Sequence, residues 1–356
     1  MLKFKINKKI ISKNSKTYFI ADIAANHDGS LSRAKKLIKL CAKAGADAAK
    51  FQHFKAETIV LDEGFKKVGK IDHQSSWNDS VYNIYKKASI NPKWTKELVM
   101  ECKKNKIDFL TAAYDLDYVD ELNKFLPAYK IGSGDITWRE ILVKIAKKNK
   151  PVILATGASN FEETKQAVRL IKKYNKKLVL MQCNTNYTNS NENFNYINLY
   201  ALKQFKDTFG EKIVLGLSDH TKGHSTVLGS IALGARVIEK HFTDNNDRLG
   251  PDHKFSMNPK TWREMVEASR DLEKSLGNGN KKLEKNEIKS VIIQRRGVWA
   301  RNDLKKNHKI KLSDLKFLRP CLKNSISPFN INKYLGKKLK KNIKKNNIIS
   351  ISCLNS

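Results

Sequence analysis

The sequence has few cysteines and no pair of them with the spacing of a metal site. Its five cysteines (Cys41, Cys102, Cys183, Cys321 and Cys353) are odd in number, widely spaced and without a C-x-x-C motif. This pattern argues against a disulfide framework and against a zinc knuckle. We therefore expect reduced thiols.

Long apolar segments are also missing. The chain contains no run of about 18 consecutive apolar residues, which excludes a membrane-spanning helix. Residues 1–20 are charged and lack the unbroken apolar stretch of a signal peptide. With 40% hydrophobic and 9% aromatic residues among 356, the chain can nevertheless bury a large core. The sequence predicts a soluble, cytoplasmic protein that is neither disordered nor bound to a membrane.

Acidic residues are scarce, which leaves a net charge of +34. Such a charge is typical of proteins that bind nucleic acids or other polyanions. Arginine, the residue best suited to phosphate and base contacts, is also scarce, with 11 Arg against 58 Lys. Lys, Asn and Ile are enriched together, which favours compositional drift at tolerant surface positions. Residues 281–356 hold 21 basic and 4 acidic residues, so a polyanion-binding tail stays open as the alternative.

Short apolar runs alternate with helical segments over the first 242 residues. Each run ends in small or polar residues, and nearly every run is followed by a segment with helical periodicity, a pattern that indicates parallel strands with crossover helices. The predicted strands are 18–24, 47–52, 108–113, 128–133, 151–156, 178–184, 213–219 and 236–242. The predicted helices are 30–43, 93–104, 116–125, 138–147, 161–174, 199–209, 225–233 and 259–276.

Eight strand-helix units over about 260 residues predict an α/β fold, a (β/α)8 TIM barrel. An open doubly wound sheet would be expected to carry a glycine-rich nucleotide fingerprint, and no G-x-G-x-x-G occurs in the sequence. Residues 1–17 are predicted to form a hairpin below the barrel, which spans residues 18–276. A polar linker at 277–290 then leads to a small β-rich domain at 291–356, whose β-like runs include SVIIQ. The insertion 53–92 would lie at the catalytic mouth as a lid.

Polar residues collect at the carboxyl ends of the predicted strands. In a barrel these ends converge on one mouth, so the residues form a single candidate site. The set comprises Asp22, Asn26, His27, Lys50, Gln52, Lys130, Ser133, Asp135, Thr156, Asn184, Thr185, Ser218, Asp219, His220 and His241.

His220 and His241 end neighbouring predicted strands. Two imidazoles at similar height could hold a divalent cation such as Mn²⁺, Zn²⁺ or Fe²⁺ and leave positions open for water and substrate. The alternative is a pair of hydrogen-bonded core histidines. Lys50 and Lys130 lie within apolar strands, where a cation needs an anionic partner. That partner is either a phosphate or carboxylate of a substrate or the carboxylate of Asp22 or Asp135.

The loop 244–253 that follows the last predicted strand is rich in carboxylates. It could hydrogen-bond the hydroxyl groups of a sugar or cap the next helix, and its spacing does not decide between the two. The residues together favour a site for one polyhydroxylated substrate and one phosphate-bearing substrate.

Seven motifs also carry a resemblance to a known family. In chain order they read ADIAANHDGS, GADAAKFQ, PAYKIGSGD, ATGAS, LGLSDHT, IEKHFTD and DRLGPDHKFSM. This series resembles the sialic acid synthase family, which includes N-acetylneuraminate, legionaminate and pseudaminate synthases. The segment RRGVWARNDLKKNHKI with the later LKFLRP resembles the antifreeze-like (SAF) domain of that family, so the similarity covers nearly the whole chain.

The resemblance implies a C–C bond-forming transferase of carbohydrate biosynthesis. Phosphoenolpyruvate would condense with an N-acylated hexosamine, either N-acetylmannosamine or a 6-deoxy-2,4-diacetamido hexose, to give a nine-carbon 2-keto-3-deoxy sugar acid and phosphate. His220 and His241 would bind a divalent metal, with Mn²⁺ preferred and Mg²⁺ or Co²⁺ as alternatives, which polarises the sugar aldehyde.

The other site residues also take their expected roles from the resemblance. Asp22 or Asp135 would act as acid or base by orienting the water that adds at C2. Arg319 would reach the N-acyl group from a partner subunit in a domain-exchanged homodimer. The remaining substrate-binding residues are Lys50, Lys130, Ser133 and Ser218 for phosphoenolpyruvate, Tyr187 and Asp252 for the region near the sugar, and Thr185, which is not assigned to either substrate.

Four positions depart from the pattern of the family. Asp22 stands where the family has Glu, and Thr111-Ala112-Ala113-Tyr114 stands where it has S-T-P-F, which removes a threonine that contacts phosphate unless Thr111 replaces it. The motif CNTNYT transposes Asn184 and Thr185, and CLKNSIS replaces a glycine-rich turn after Arg319-Pro320. These changes place the identity of the amino sugar in question more than the reaction class.

Two alternative functions remain at this level. An octulosonate 8-phosphate or heptulosonate 7-phosphate synthase would use phosphoenolpyruvate with a phosphorylated sugar, although the SAF domain argues against it. A barrel without catalytic activity could instead bind nucleic acid or another polyanion through its basic tail. The match of His220, His241, Lys50 and Lys130 to functional positions of the family argues against this alternative.

Overall fold

The computed structural model describes residues 2–69, 71, 74–75 and 77–355. The chain folds as two compact units, Met1–Gly277 and Asn278–Ser356. The predicted linker begins at this division, and a helix at Ile288–Gln294 crosses the predicted start of the C-terminal domain at residue 291. No helix among the described residues is both long enough and apolar enough to cross a bilayer.

The first unit contains a closed barrel of eight parallel strands. Each strand pairs with the next along the chain, and the last pairs with the first, so the sheet has no free edge. The predicted (β/α)8 fold is therefore confirmed, with every predicted strand within two residues of the observed one at each end. The barrel strands are β3 (Tyr18–Asp22), β4 (Ala48–His53), β5 (Asp108–Ala113), β6 (Tyr129–Ile131), β7 (Val152–Ala155), β8 (Leu178–Cys183), β9 (Val214–Asp219) and β10 (Val237–His241).

Helices cover the outside of the barrel and begin at capping residues that the sequence makes visible. The Ser30 side chain accepts a hydrogen bond from the Arg33 backbone, as expected of the predicted serine cap. Asn258 caps the last helix of the barrel unit in the same way, with Pro259 in the first turn of that helix. The helices are α1 (Leu31–Lys43), α5 (Thr95–Lys104), α6 (Leu116–Glu121), α7 (Arg139–Ala146), α8 (Phe161–Tyr174), α9 (Ala201–Phe209), α10 (Ser225–Ala232) and α11 (Pro259–Ser275), with α2 to α4 in the insertion.

Side chains of the strands alternate between the helix layer and the barrel interior. Phe19, Phe51 and Phe109 belong to the apolar layer between sheet and helices, whereas Tyr18 and Ile20 belong to the interior. The N-terminal hairpin, β1 (Lys3–Ile6) and β2 (Lys9–Ser12), adds Phe4, Ile6 and Ile11 to that interior cluster. Apolar residues thus fill the amino-terminal end of the barrel and leave its carboxyl-terminal end for polar side chains.

His53 ends β4 on the outer face, and its environment predicts acid sensitivity. Its ring nitrogens lie 2.8 Å from the hydroxyl oxygens of Thr111 and Thr95. Burial lowers the pKa of His53 to about 4, whereas an unfolded histidine titrates near about 6.5. Between these values the unfolded chain binds a proton that the folded chain does not, so the free energy of unfolding falls as the pH falls from about 6.5 to about 4.

The expected contribution of His53 to this fall is about 3 kcal/mol, at 1.36 kcal/mol for each pKa unit. A His53→Gln variant should therefore lose stability less steeply than the wild type in urea titrations at pH 6.5, 5.5 and 4.5. Equal slopes for the two proteins would contradict the prediction. Only the difference between the slopes is diagnostic, because other buried histidines contribute equally to both.

The described residues of the insertion 53–92 include three short α-helices: α2 (Ala56–Ile59), α3 (Asp62–Val68) and α4 (Val81–Ala88). Ala56, Val60 and Val81 form a small apolar cluster of their own. The ring of Tyr85 contacts those of Phe54 and Trp77, and all three residues line the central cavity. The insertion therefore forms part of the cavity wall, at the position predicted for a lid.

The C-terminal unit has a small apolar core and little regular structure. Its paired strands are β11 (Gly297–Ala300) and β12 (Leu315–Leu318), and Val298, Leu339 and Ile349 are buried. The prediction of a β-like run at SVIIQ was wrong, because these residues lie in helix α12 (Ile288–Gln294). The turn Lys285–Glu287 leads directly into this helix, and its local hydrogen bonding outweighs the β propensity of the branched residues.

Candidate active site

A cavity of about 470 Å³ lies where the carboxyl ends of the barrel strands meet. It brings together the eleven residues of the first unit to which the sequence analysis gave a catalytic or substrate-binding role. These are Asp22, Lys50, Lys130, Ser133, Asp135, Thr185, Tyr187, Ser218, His220, His241 and Asp252. They come from distant parts of the sequence, so closure of the barrel is what assembles them.

Lys50 forms an ion pair at one side of the cavity floor. Its Nζ lies 2.6 Å from Oδ2 of Asp22, and both side chains are almost completely buried. Gln52, two residues further along β4, donates a longer hydrogen bond of 3.4 Å to the same oxygen. Burial by itself lowers the pKa of Lys50, but the carboxylates around it raise that pKa above its ordinary value. Lys50 is therefore a cation that Asp22 holds in place.

Glu239 is the central residue of the floor, and the sequence analysis missed it. Its Oε1 lies 3.2 Å from Nζ of Lys130 and accepts a hydrogen bond of 3.1 Å from the Ser218 hydroxyl. Its Oε2 lies 3.9 Å from Nζ of Lys50. Burial by itself would raise the pKa of Glu239, but the two ammonium groups lower it to about 2. Lys130 therefore pairs with Glu239 and not with Asp135, one of the two partners that the sequence offered.

A signal for Glu239 was present in the motif IEKHFTD. In a strand, residues two apart point to the same face, so Glu239 must face the cavity if His241 does. Lys240 between them must point outward, where it forms a fully buried ion pair with Asp219 of β9. Asp219 therefore lies outside the cavity, where it accepts hydrogen bonds from Thr221 and Thr226 and ties the ends of β9 and β10 together.

His220 and His241 stand side by side on the inner faces of these two strand ends. Their ring centroids are 5.4 Å apart. Nδ1 of His220 lies 2.7 Å from the Asn184 carbonyl oxygen, so it donates there and leaves Nε2 with a free electron pair. Burial lowers the pKa of His220 to about 4 and, together with Lys50, that of His241 to about 3. Both imidazoles are therefore neutral at pH 7.

The donors present fit a divalent metal held in an open site. Nδ1 of His241 is buried without a hydrogen-bond partner among the described residues, and Asp22 Oδ2 lies 3.5 Å from Nε2 of the same ring. Neutral imidazoles are ligands for Mn²⁺ and similar ions. The described part of the chain has no group of three His, Cys, Asp or Glu side chains arranged to hold a metal, so water and substrate would complete the coordination.

Burial raises the pKa of three carboxyl groups in the cavity, those of Asp22, Asp135 and Asp252. Burial raises the pKa of Asp252 to about 7, although its Oδ2 accepts a hydrogen bond of 3.0 Å from the backbone of Ala25. Burial also raises the pKa of Asp135 to about 6, against a smaller opposite effect of Lys130. Asp135 and Asp252 can therefore take up and release protons near neutral pH, as a general acid or base requires.

Aromatic rings form the wall beside the histidines. The ring of Tyr187 lies 4.3 Å from that of His220, and Phe255 contacts the rings of Tyr187, His220 and His241. Such rings exclude water and offer apolar faces to a sugar. Phe255 belongs to the motif DRLGPDHKFSM, but the sequence analysis did not single it out.

Ser133 and Thr185 lie close together beside the backbone of Gly157. Ser133 Oγ accepts a hydrogen bond of 2.9 Å from the backbone N–H of Gly157. A side chain on Gly157 would meet Thr185 at 2.5 Å and Ser133 at 2.9 Å, so this position has room only for glycine. Thr111 does not take the place of the missing threonine, because it points to the helix layer and contacts His53.

Some candidates from the strand ends lie outside the cavity. Asn26 donates hydrogen bonds to the Phe242 carbonyl and to Ser256, which is a structural role. His27 is buried, with its ring edge-on to that of Trp94, and its Nδ1 accepts a hydrogen bond from the backbone of Gly29. Thr156 and Asn184 line a neighbouring surface cavity, and Arg319 is an exposed residue after β12 in the C-terminal unit.

Comparison with known proteins identifies the family of the chain. Residues 37–281 match the NeuB family and residues 295–355 match the SAF domain. The chain is 38% identical to an N,N'-diacetyllegionaminic acid synthase of Campylobacter jejuni over 94% of this chain and 99% of that protein. It is 32% identical to a pseudaminic acid synthase of the same species over 93% and 94% of the two chains.

A solved structure gives the same assignment. The N-acetylneuraminic acid (sialic acid) synthetase of Leptospira borgpetersenii, in complex with citrate, superposes with a TM-score of 0.71 at 28% identity, over 82% of this chain and 95% of that one. The resemblance read from the motifs is thereby confirmed. The chain belongs to the NeuB family, in which several of its relatives are named as sialic-acid-type synthases, and it carries a C-terminal SAF domain.

Proposed function

We propose that this protein condenses phosphoenolpyruvate with an N-acylated amino sugar to give a nine-carbon 2-keto-3-deoxy sugar acid and phosphate. The observation that carries the proposal is the convergence of two buried ammonium groups and two neutral imidazoles on one cavity. The acceptor favoured here is a 6-deoxy-2,4-diacetamido hexose, because a 38% identical relative is named as a diacetyllegionaminic acid synthase. Such a reaction is expected in the cytoplasm.

Lys50, Lys130, Ser133 and Ser218 are proposed to bind the enol phosphate. In the free protein the charges of the two lysines are balanced by Asp22 and Glu239. The two ammonium groups are therefore held in place before substrate binds, so an anion can bind to them without reorganisation of long side chains. Ser218 already donates to Glu239, so this carboxylate orients a hydroxyl as well as a cation.

His220 and His241 are proposed to hold the metal, with Mn²⁺ favoured over Mg²⁺ or Co²⁺. When bound, the metal supplies Lewis-acid polarisation of the aldehyde oxygen of the open-chain sugar. Burial, Tyr187 and Phe255 keep both rings neutral and shield them from bulk water. Thr185, Tyr187 and Asp252 would contact the sugar, and a protonated Asp252 could donate to one of its oxygens.

In the proposed reaction the protein mainly has to position the two substrates and to transfer protons. C3 of phosphoenolpyruvate forms the new bond to the aldehyde carbon, water adds at C2, and the tetrahedral intermediate loses phosphate by C–O cleavage. Of the two acid or base candidates, Asp135 is favoured to accept the proton of that water. Its pKa of about 6 suits the transfer, whereas Asp22 is already engaged by Lys50.

A screen of acceptors tests the proposal. The full-length protein with Mn²⁺ and phosphoenolpyruvate is offered a 6-deoxy-2,4-diacetamido hexose, N-acetylmannosamine or arabinose 5-phosphate, and phosphate release and product mass are measured. We expect turnover with the diacetamido hexose and loss of turnover after chelation of the metal. Turnover with arabinose 5-phosphate alone, or no consumption of phosphoenolpyruvate with any sugar, would overturn the proposed function.

The complete site is proposed to need a second copy of the chain. Arg319 is exposed in the C-terminal unit, and a domain-exchanged homodimer would bring it from the partner subunit to the N-acyl group of the sugar. The basic residues 281–356 then have a role at a protein interface, and nucleic acid is not required as a partner.

A further inference from the structure

The part of the cavity wall formed by β5 differs from its neighbours. β4 and β6 present Lys50, Gln52 and Lys130 to the interior, whereas the inward residues of β5 are Leu110 and Ala112. Ala112 is paired in register with Lys130 and lies beside it without a polar atom. The next inward residue is Tyr114, directly after the strand, and it lines the cavity.

The neighbours of Tyr114 fix where its hydroxyl lies. Its ring packs edge-on against Phe54, with centroids 6.1 Å apart. A methyl group added at Gly132 would lie 2.9 Å from the hydroxyl oxygen of Tyr114 and 3.2 Å from its ring. Gly132 has an ordinary extended backbone (φ −68°, ψ 156°), so its conformation does not require glycine. What requires the missing side chain is the room that the Tyr114 phenol occupies.

The hydroxyl is held in place without being used by the protein. In the described part of the chain, no hydrogen bond engages it. Burial first, and then the carboxylate of Asp135, raise the pKa of Tyr114 well above its ordinary value. The phenol therefore stays neutral at all physiological pH values and keeps its proton available for donation. Lys130, Gly132, Ser133 and Asp135 line the cavity next to it.

We propose that Tyr114 is a substrate-binding residue whose hydroxyl donates a hydrogen bond to an anionic oxygen of phosphoenolpyruvate. This inference rests on the proposed function, since it names a further donor at the same subsite. The anion is favoured over the sugar because Lys130 and Ser133, beside Gly132, are the groups proposed for the enol phosphate. The hydroxyl at position 114 thus supplies the polar contact that Ala112 cannot make.

The test is calorimetric titration of the full-length protein with phosphoenolpyruvate, in the presence of Mn²⁺ and without sugar. Tyr114→Phe keeps the ring against Phe54 and removes one oxygen, so we expect the affinity to fall by about tenfold to a hundredfold, the range for a hydrogen bond to a charged group. Tyr200→Phe is the matched control, because Tyr200 is 69% exposed, and its affinity should equal that of the wild type.

Gly132→Ala provides a second, independent variant. The added methyl group displaces the hydroxyl, so affinity should fall in the wild type and fall less in the Tyr114→Phe background. Unchanged affinity for phosphoenolpyruvate in Tyr114→Phe would overturn the role of Tyr114 and leave the proposed function standing. A wild-type protein that binds no phosphoenolpyruvate would instead overturn both.

Discussion

Replacement of His220 or His241 by alanine is expected to abolish turnover while the fold stays intact. Each ring is neutral and buried at the end of its strand, so its loss would remove a proposed metal ligand without leaving an unpaired charge. Loss of Lewis-acid assistance worth several kcal/mol lowers the rate by more than about a thousandfold. Turnover measured as phosphate release should disappear, while the circular dichroism spectrum and Tm stay close to those of the wild type.

His224→Ala is the control for this experiment, because His224 precedes α10 and does not line the cavity. It should retain the wild-type rate. A near-normal rate in His220→Ala or His241→Ala would remove the metal assignment. Direct titration with Mn²⁺ gives a readout that does not depend on catalysis, and both variants should bind the ion more weakly than the wild type.

The His220→Ala variant also tests the proposed exchange of domains between subunits. Arg319→Ala is expected to be inactive alone, since the arginine would act in the site of the partner subunit. Coexpression of His220→Ala with Arg319→Ala should recover part of the activity, because mixed dimers contain one site with an intact barrel and an intact Arg319. Absence of recovery in dimers shown to be mixed would contradict the exchange.

Much of this site could be predicted from the sequence, because the carboxyl ends of all the strands of a barrel lie together at one end of it. Lys50, Lys130, His220 and His241 are each separated from the next by at least 21 positions in the sequence, yet all line one cavity. The prediction needed only the order of strands and the alternation of side chains. The strand ends also gave wrong candidates, since Asn26, His27 and Asp219 contact other parts of the protein and do not line the cavity.

The sequence could not predict which carboxylate pairs with which lysine on the floor of the cavity. Asp22 and Asp135 were offered as partners for the two lysines, and β10 supplied the missing carboxylate, Glu239. Which anion meets which cation depends on the stagger of neighbouring strands, a property of closure. In the C-terminal unit, the branched residues of SVIIQ favoured a strand by composition, and local helical hydrogen bonds decided otherwise.

Glu239→Gln is expected to have the largest effect on stability of any single change at the cavity floor. The substitution keeps the shape and the acceptor for Ser218 but removes the charge that neutralises Lys130 and assists Lys50. Breaking a buried ion pair from one side costs about 3–5 kcal/mol. The free energy of unfolding in urea, measured without substrate, should fall by that amount.

Phosphoenolpyruvate should restore much of the stability that Glu239→Gln loses, because its own anionic groups can meet the two lysines. By linkage, a ligand that binds only the folded state raises the free energy of unfolding in proportion to the logarithm of its concentration over Kd. The increase in Tm on addition of phosphoenolpyruvate should therefore be larger for the variant than for the wild type. Inorganic phosphate should produce a smaller increase of the same sign.

Asp219→Asn separates this effect from simple loss of a buried ion pair. Asp219 and Lys240 are as deeply buried as the pair on the floor but face the helix layer, where no substrate can reach them. The variant should be destabilised to a similar degree, with a shift by phosphoenolpyruvate no larger than that of the wild type. Equal rescue of both variants would show that the ligand does not bind between Lys50 and Lys130. Rescue of Glu239→Gln alone would show that the negative charge of phosphoenolpyruvate lies between Lys50 and Lys130.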